Sequence, residues 1–542
     1  MANITIPREE LEKGIGRITK EIEDKISLFG TPLEKVTENE IELEIFPNRP
    51  DMLSTQGFLR GFKAFLGKSH GMVKYKLNKP EKDYHVKVSS SVKSIRPYTV
   101  CAIVKNLKLD DVKISEIIEL QEKLHSTIGR NRKKVAIGIY PLEKIKLPIT
   151  YTALPPKDIK FIPLEEDKEL NAIQILKKHP AGKEYAHLLE EHDKFPIFID
   201  ADKKILSMPP IINSNDTGKI TERTKEVFIE CSGHHLLTLE KTLNIIVTTL
   251  ADMGGKVFQM EIQYDKDIIT PNLASEKIKL SLENVNKLLG LELKESDLSK
   301  LLPRMGMEYK NKFVSVPAWR SDILHEVDVI EDIAIAYGYD NLQPRVPNIF
   351  SISEETSESK TTRIIREILI GLGLAEISTY HLIKDKESFL AKSERIDVLD
   401  SKTEYKILRD SLLPSALRIL SENKDKEYPQ EVFEIGTVFE NGATETGIRE
   451  KTNLLIISSP ANFTKMKQIL NSLTLPLGIK HWIEESTHPQ LIDGRTASIT
   501  LGEEIGYMGE IHPETLKAWS IKMPAAVIEI CLDEIFESFS KG

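Results

Sequence analysis

Cysteine is scarce in this chain of 542 residues: Cys101, Cys231 and Cys531 lie far apart and form no CxxC pair. That spacing excludes a disulfide framework and a thiolate zinc site, and suits reduced thiols. No uninterrupted apolar run reaches the ~18 residues of a membrane span. The opening MANITIPREELEKGIGRITKEIED is charged and lacks the apolar core of a signal peptide. A soluble, cytoplasmic protein is expected, with no membrane partner. Aromatic residues make up only 6% of the chain, too few for a surface dominated by base stacking. A net positive charge is missing too: the formal value is −9, so any RNA contact must come from local patches. What remains is a 40% hydrophobic chain able to build ordinary cores. Its length suits roughly three to five domains.

Four regions are expected. Residues 1–85 open with a charged amphipathic helix and continue with an alternating strand, Ile41–Phe46. A turn follows at Asn48-Arg-Pro-Asp-Met-Leu-Ser54, where Asp or Ser caps the next helix. Residues 86–268 mix α and β, with buried strands at Tyr98–Val104 and Val135–Tyr140, a further strand at Glu226–Cys231 and a long helix from Leu236 to Met253. The compact basic turn around Arg130, Arg132, Lys133 and Lys134 reads either as a phosphate contact or as a solvated charge run. The apolar stretch Ile205–Ser214 reads as a pocket wall or as a strand end and turn. Residues 270–345 place two helices, short strands and a third helix in an order compatible with a winged-helix-like module. A polar linker, Ser351–Lys360, leads into residues 348–542, again α and β. The segment Gly371-Leu-Gly373 lacks the third glycine of a dinucleotide loop. The adjacent His234 and His235 would diverge on a strand or a helix, which disfavours them as a metal pair.

The densest chemistry lies in RSDILHEVDVIEDIAIAYGY, Arg320–Tyr339. Asp322 falls at the exit of a strand expected over Phe313–Trp319, and Asp328, Glu331 and Asp332 fall on the helix that follows. Offsets of three and four bring those last three carboxylates to one side. Val327, Ile330, Ala334 and Tyr337 form the expected buried stripe. Like charges crowded in this way repel unless a cation sits among them. Spacing alone leaves two readings open. One is a solvated face, favoured by the helix dipole by roughly 0.3–1 kcal/mol per carboxylate. The other is a magnesium site, in which carboxylate oxygens hold an ion that keeps several waters.

Taken together, these segments resemble the beta subunit of phenylalanine–tRNA ligase of the archaeal and eukaryotic-cytosolic type, over nearly the whole chain. The resemblance is carried by Asn48–Ser54, Leu206–Asn213, Arg320–Asp322 with Asp328–Asp332, Ala336–Tyr339, Leu408–Pro414, Phe433–Gly436 and Gly506–Pro513. The total length is similar to the archaeal type and lacks the C-terminal extension of the bacterial one. The resemblance implies an alpha2beta2 heterotetramer that joins phenylalanine to its tRNA with ATP bound by the alpha subunit. It also implies a multidomain α+β fold: a proofreading-like α/β domain, the winged-helix-like module, and a class II synthetase-like antiparallel sheet domain without catalytic motifs. Where a working class II site has Arg-x-Glu, this chain has Arg409-Asp410-Ser411, so no catalytic residue for aminoacylation is expected here. The family's Mg²⁺ positions map onto Asp322, Asp328, Glu331 and Asp332. Its proofreading region hydrolyses tyrosine wrongly attached to the tRNA, and there this chain departs from the pattern. Gly-Thr-Asp-x-Thr becomes Gly233-His234-His235-Leu236-Leu237, and Gly-x-His-Asp-Leu-Asp becomes Gly138-Ile139-Tyr140-Pro141-Leu142-Glu143. The departures imply a weakened or absent editing function, with Asn213 and Ser214 as the surviving pocket candidates. The rival readings are a stand-alone tRNA-binding scaffold and a trans-acting aminoacyl-tRNA deacylase.

Overall fold

Ile41, Leu43 and Ile45 alternate with Glu42 and Glu44, and the strand Glu40–Ile45 buries the three apolar side chains. It is the centre of a three-stranded sheet, between Ala2–Pro7 and Leu33–Val36. The chain therefore opens with a strand, and the expected helix starts only at Arg8. The reason is local: Ile4 and Ile6 alternate with polar neighbours, and Pro7 precedes the first helical residue. Ser54 caps the helix Thr55–Phe65 by accepting the Gly57 N–H at 3.0 Å. From that helix Phe58, Phe62 and Phe65 pack against Phe29.

The computed structural model describes residues 2–389, 391 and 394–540. It contains two compact units, Met1–Val346 and Pro347–Gly542. In the first, a sheet of eleven strands has at one end the antiparallel strands Tyr98–Lys105, Val227–Gly233 and Val135–Pro141. Their near-continuous apolar runs are buried, with the helix Leu236–Asp252 packed against Tyr98–Lys105 and Val227–Gly233. The apolar stretch after Ile205 is a hairpin, Ile205–Met208 with Ile212–Asn213, at the other end of the sheet's strand order. After Thr270 come the strands Glu276–Lys279, Glu308–Lys310 and Phe313–Val316, with helices Leu282–Leu289, Glu295–Arg304 and Glu326–Tyr337. Val285, Leu298, Val314, Ile330 and Ile333 form their common core. The expected strand through Trp319 stops at Val316, because Pro317 has no N–H for a ladder.

The second unit holds a seven-stranded sheet, antiparallel except for its first, parallel pair, and a three-stranded antiparallel sheet with Tyr405–Leu408 between Leu382–Lys384 and Ile396–Asp397. Helices Ser357–Gly371 and Phe463–Thr474 pack into the core of Phe433, Leu454 and Met508, while Leu413–Glu422 packs with Leu455, Ile457 and Val527. The polar linker is shorter than expected, since Thr356 caps a helix that begins at Ser357. Gly373 follows the end of that helix with φ 91°, the left-handed turn that glycine favours. Arg409 is 1% exposed and reaches Glu434 Oε1 at 2.9 Å, Thr379 Oγ1 at 2.6 Å and the Thr437 carbonyl at 2.9 Å. Glu434 is itself buried. A Cβ on Gly436 would lie 2.5 Å from Arg409 Nη2, so glycine is needed beside the guanidinium.

Candidate functional site

The four carboxylates singled out in the sequence, Asp322, Asp328, Glu331 and Asp332, line one cavity of about 340 Å³ together with Phe29, Asn48, Arg49 and Tyr339. Their individual situations differ. Arg320 is 2% exposed and forks onto Asp322 with Nε–Oδ1 at 2.8 Å and Nη2–Oδ2 at 2.6 Å, while Nη2 also reaches Asp332 Oδ2 at 2.8 Å. Burial pushes the Asp332 carboxyl above its ordinary range, and Arg320 only partly offsets this. Burial also works against the charge on Arg320, but Asp332 and Asp322 outweigh it and hold the guanidinium ionised. Asp328 does different work: its Oδ2 accepts the N–H groups of Leu324 at 2.8 Å and His325 at 2.7 Å, closing the start of the helix Glu326–Tyr337. Glu331 is exposed. The buried stripe of that helix is also shifted from the expected one. Val327 is 51% exposed, and Val329, Ile330, Ile333, Ala334 and Ala336 are the buried apolar residues. Burying Asp332 beside Arg320 turns the helix away from Val327.

Among the described residues, no three His, Cys, Asp or Glu side chains are grouped as a ready-made cation cage. Arg320 relieves the crowding at Asp322 and Asp332, while Asp328 is occupied by backbone N–H groups and Glu331 faces out. The donors that remain on the cavity are hard carboxylate oxygens beside open space, which fits an ion that keeps most of its waters. Beneath them, Arg49 forks onto Asp51 at 2.9 Å through both nitrogens. Burial alone would raise Asp51, but Arg49, Arg320 and Arg60 together bring it below its ordinary range.

A second polar cavity, of about 120 Å³, lies among Gln121, His125, Arg132, Asn213 and Glu230. Asn213 is thus on a pocket wall, whereas Ser214 is buried outside this lining. Sequence reading missed Glu230. It is 1% exposed, its Oε1 takes part in a 3.2 Å contact with the Tyr140 hydroxyl, and its Oε2 has no partner. Burial pushes its carboxyl up to about 8, outweighing the opposing charge of Arg96. A lone acid within Val-Phe-Ile-Glu-Cys-Ser was the available signal. The basic turn is also divided. Arg130, Lys133 and Lys134 are exposed, but Arg132 turns inward to the Ile211 carbonyl at 2.8 Å and Glu122 at 3.0 Å, with Tyr185 under its guanidinium. Arg132 therefore departs from the expected set of RNA contacts. Arg130, Asn131 and Arg132 all have positive φ (47°, 51° and 64°). This costly geometry directs the carbonyls of Arg132 and Lys133 onto buried Arg96. His235 caps the helix Leu236–Asp252 by accepting from Thr238 N, a structural use that accounts for one of the paired histidines.

In the second unit, Arg409 faces Glu434 rather than open space. Beside it, a cavity of about 240 Å³ is lined by Asp410, Ser411, Tyr507 and Glu529. Glu529 there is saturated by Ser411 Oγ at 2.6 Å, Leu412 N at 2.9 Å, Asn453 Nδ2 at 2.8 Å and Tyr507 Oη at 2.7 Å.

Two family profiles match the chain: "tRNA synthetase B5 domain" over residues 278–339 and "Phenylalanyl tRNA synthetase beta chain CLM domain" over residues 342–532. The chain is 38% identical to the phenylalanine–tRNA ligase beta subunit of Pyrococcus furiosus, over 99% of this chain and 100% of that one. It is 35% identical to the protein of that name from Archaeoglobus fulgidus, with 99% of each chain covered. A crystal structure of an N-terminal fragment of the phenylalanyl-tRNA synthetase beta-subunit from Pyrococcus horikoshii is similar to 62% of this chain and 99% of its own, with 39% identity and a TM-score of 0.59.

Replacing Arg320 by Ala strands Asp322 and Asp332 as buried charges and should cost about 3–5 kcal/mol in denaturant unfolding of the full chain. Arg320→Lys should fall between, because an ammonium cannot fork onto both acids; a loss below about 1 kcal/mol in Arg320→Ala would refute the role. Glu230 sets a pH dependence of defined sign. Between 4.5 and about 8 the unfolded carboxyl has lost its proton while the buried one keeps it, so rising pH favours unfolding across that window. Melting temperatures should therefore fall more steeply with pH for the wild type than for Glu230→Gln, and parallel curves would show that Glu230 titrates normally.

Proposed function

The chain belongs to the family of phenylalanine–tRNA ligase beta subunits, and from that premise we propose that it is the non-synthetic half of an alpha2beta2 enzyme. The alpha subunit binds ATP and attaches phenylalanine to its tRNA, in the cytoplasm; the beta chain contributes assembly and tRNA binding. The observation that carries this division of labour is Arg409. It stands where the resemblance puts a phosphate-holding arginine, yet its guanidinium is spent on Glu434, Thr379 and the Thr437 carbonyl. An arginine so enclosed cannot hold the α-phosphate of ATP. On this reading residues 1–85 form an N-terminal domain and residues 86–268 a proofreading-like domain. Residues 270–345 form the winged-helix-like module, and residues 348–542 a synthetase-like core without its chemistry.

Magnesium belongs, on the same reading, with Asp322, Asp328, Glu331 and Asp332. It would neutralise the carboxylate oxygens left on the cavity, a structural contribution separate from the reacting phosphates. Arg320 holds Asp322 and Asp332 in place from behind, and Asp328 fixes the helix start, so the chain itself positions the donors. Arg130, Lys133 and Lys134 are the phosphate contacts of choice, since Arg96 locks their turn and leaves their side chains outside. Asn213 remains the pocket residue of the proofreading-like domain, and Ser214 supports the wall behind it.

Purified with a cognate alpha chain, the protein should charge tRNA with phenylalanine in the presence of ATP and Mg²⁺; alone it should charge none. Charging by this chain alone would end the proposal. Glu331 tests the metal cleanly because it has no part in the Arg320 pairs. Titrating Mg²⁺ should raise the melting temperature, and Glu331→Ala should need several-fold more ion for half the rise. Superimposable titrations would remove Glu331 from the site.

A further inference from the structure

Tyr140 departs from the histidine of its family pattern, and its surroundings show what the change does. On the strand Val135–Pro141 it pairs in register with Phe228, and Gly138 pairs with Glu230. The ring stacks on Phe228 at a centroid distance of 5.8 Å, and its hydroxyl lies 3.2 Å from both Asn213 Oδ1 and Glu230 Oε1. A Cβ on Gly138 would come within 2.1 Å of that hydroxyl, so the strand leaves a gap where the phenol ends. A phenol carries one hydrogen and here meets two acceptors. A Glu230 that is neutral below about pH 8 resolves this, donating to the phenolic oxygen while the phenol donates to Asn213. What remains beside Glu230 is a cavity of about 120 Å³, well under the ~300 Å³ at which small-molecule sites usually begin.

We propose that the Tyr140 side chain is a built-in occupant of the amino-acid pocket, a specificity-determining residue that bars the tyrosyl group of a mischarged tRNA. The inference rests on the proofreading-like reading of residues 86–268. A site that discriminates tyrosine from phenylalanine must hydrogen-bond a hydroxyl at the end of a ring. Asn213 and Glu230 are groups suited to that task, and the chain's own phenol already engages both. The ring and the hydroxyl of an incoming tyrosine would therefore compete with a covalently attached copy of themselves. The remaining space retains polar groups without partners, Glu230 Oε2 and Arg132 Nε, but it lacks room for a second ring.

The test uses the alpha–beta complex and the non-hydrolysable 3′-(L-tyrosyl)amino-3′-deoxyadenosine, with its phenylalanyl counterpart, followed by calorimetry. The wild type should show no saturable binding of either. Tyr140→Ala should bind the tyrosyl compound, and at least about tenfold more tightly than the phenylalanyl one, as hydroxyl-reading sites do. Tyr140→Leu, which retains more apolar volume, serves if Ala unfolds the domain, and adding Asn213→Ala should abolish the preference. Saturable binding of the tyrosyl compound by the wild type would overturn the occlusion and leave the proofreading-like reading intact. A Tyr140 variant that charges tRNA normally yet binds neither compound would overturn both. Equal binding of the two compounds by the variant would also overturn the proposal, since a mere core cavity makes no distinction at the hydroxyl.

Discussion

A carboxylate withdrawn from water needs a cation or a proton, and the first unit meets that need with arginines turned inward. Arg320 joins Asp322 to Asp332, Arg49 holds Asp51, and Arg60 reaches both Asp252 and Tyr75 while lying 4.6 Å from the Trp319 ring. The first two are local pairs, whereas Arg60 bridges distant parts of the sequence, tying the helix Thr55–Phe65 to the end of the helix Leu236–Asp252 and to Trp319, just before the acidic segment. Guanidinium groups suit the task because they stay charged and present donors in a planar fork. With the acids neutralised from within, the helix can bury Asp332 and still leave carboxylate oxygens on an open cavity.

The same device recurs with different consequences. In the second unit it couples Arg409 to Glu434 and encloses the guanidinium within the fold. In the middle of the first unit Arg96 gathers the carbonyls of Arg132 and Lys133 together with the Ser232 carbonyl at 2.7 Å, so a turn of three left-handed residues is held rigidly. Glu230 shows what happens where a buried acid has no arginine hydrogen-bonded to it and burial outweighs the nearby charge of Arg96. Its carboxyl is pushed up to about 8 and so keeps its proton into the neutral range. Charge placement, more than hydrophobic packing, distinguishes the candidate sites from the rest of this fold.

Periodicity made the regular elements legible. Alternation marked Glu40–Ile45, continuous apolar runs marked the central strands, and the long helix after Gly233 was found nearly to its ends. The offsets of Asp328, Glu331 and Asp332 placed these carboxylates on one side of the helix, and they do line one cavity. Spacing could not say which cation answers them, although Arg320 stood two residues from Asp322 in the same motif. Pairing depends on how the chain turns after Val316, and that turn is set by tertiary packing. Arg132 looked like its basic neighbours because composition does not record direction. Glu230 escaped because a single acid in a strand ordinarily marks an exposed face, and only the sheet's register shows it opposite Gly138. The opening strand was missed because charges in the following helix outweighed two isoleucines.

The enclosure of Arg409 also has a historical consequence. Freeing this arginine by one substitution at Glu434 or Thr379 leaves buried polar groups without partners, and any side chain at Gly436 collides with the guanidinium. Each single substitution that would release the guanidinium therefore passes through a less stable protein. Once such a lock forms it behaves as a ratchet: drift can elaborate the fold around the pair, but no short path undoes it.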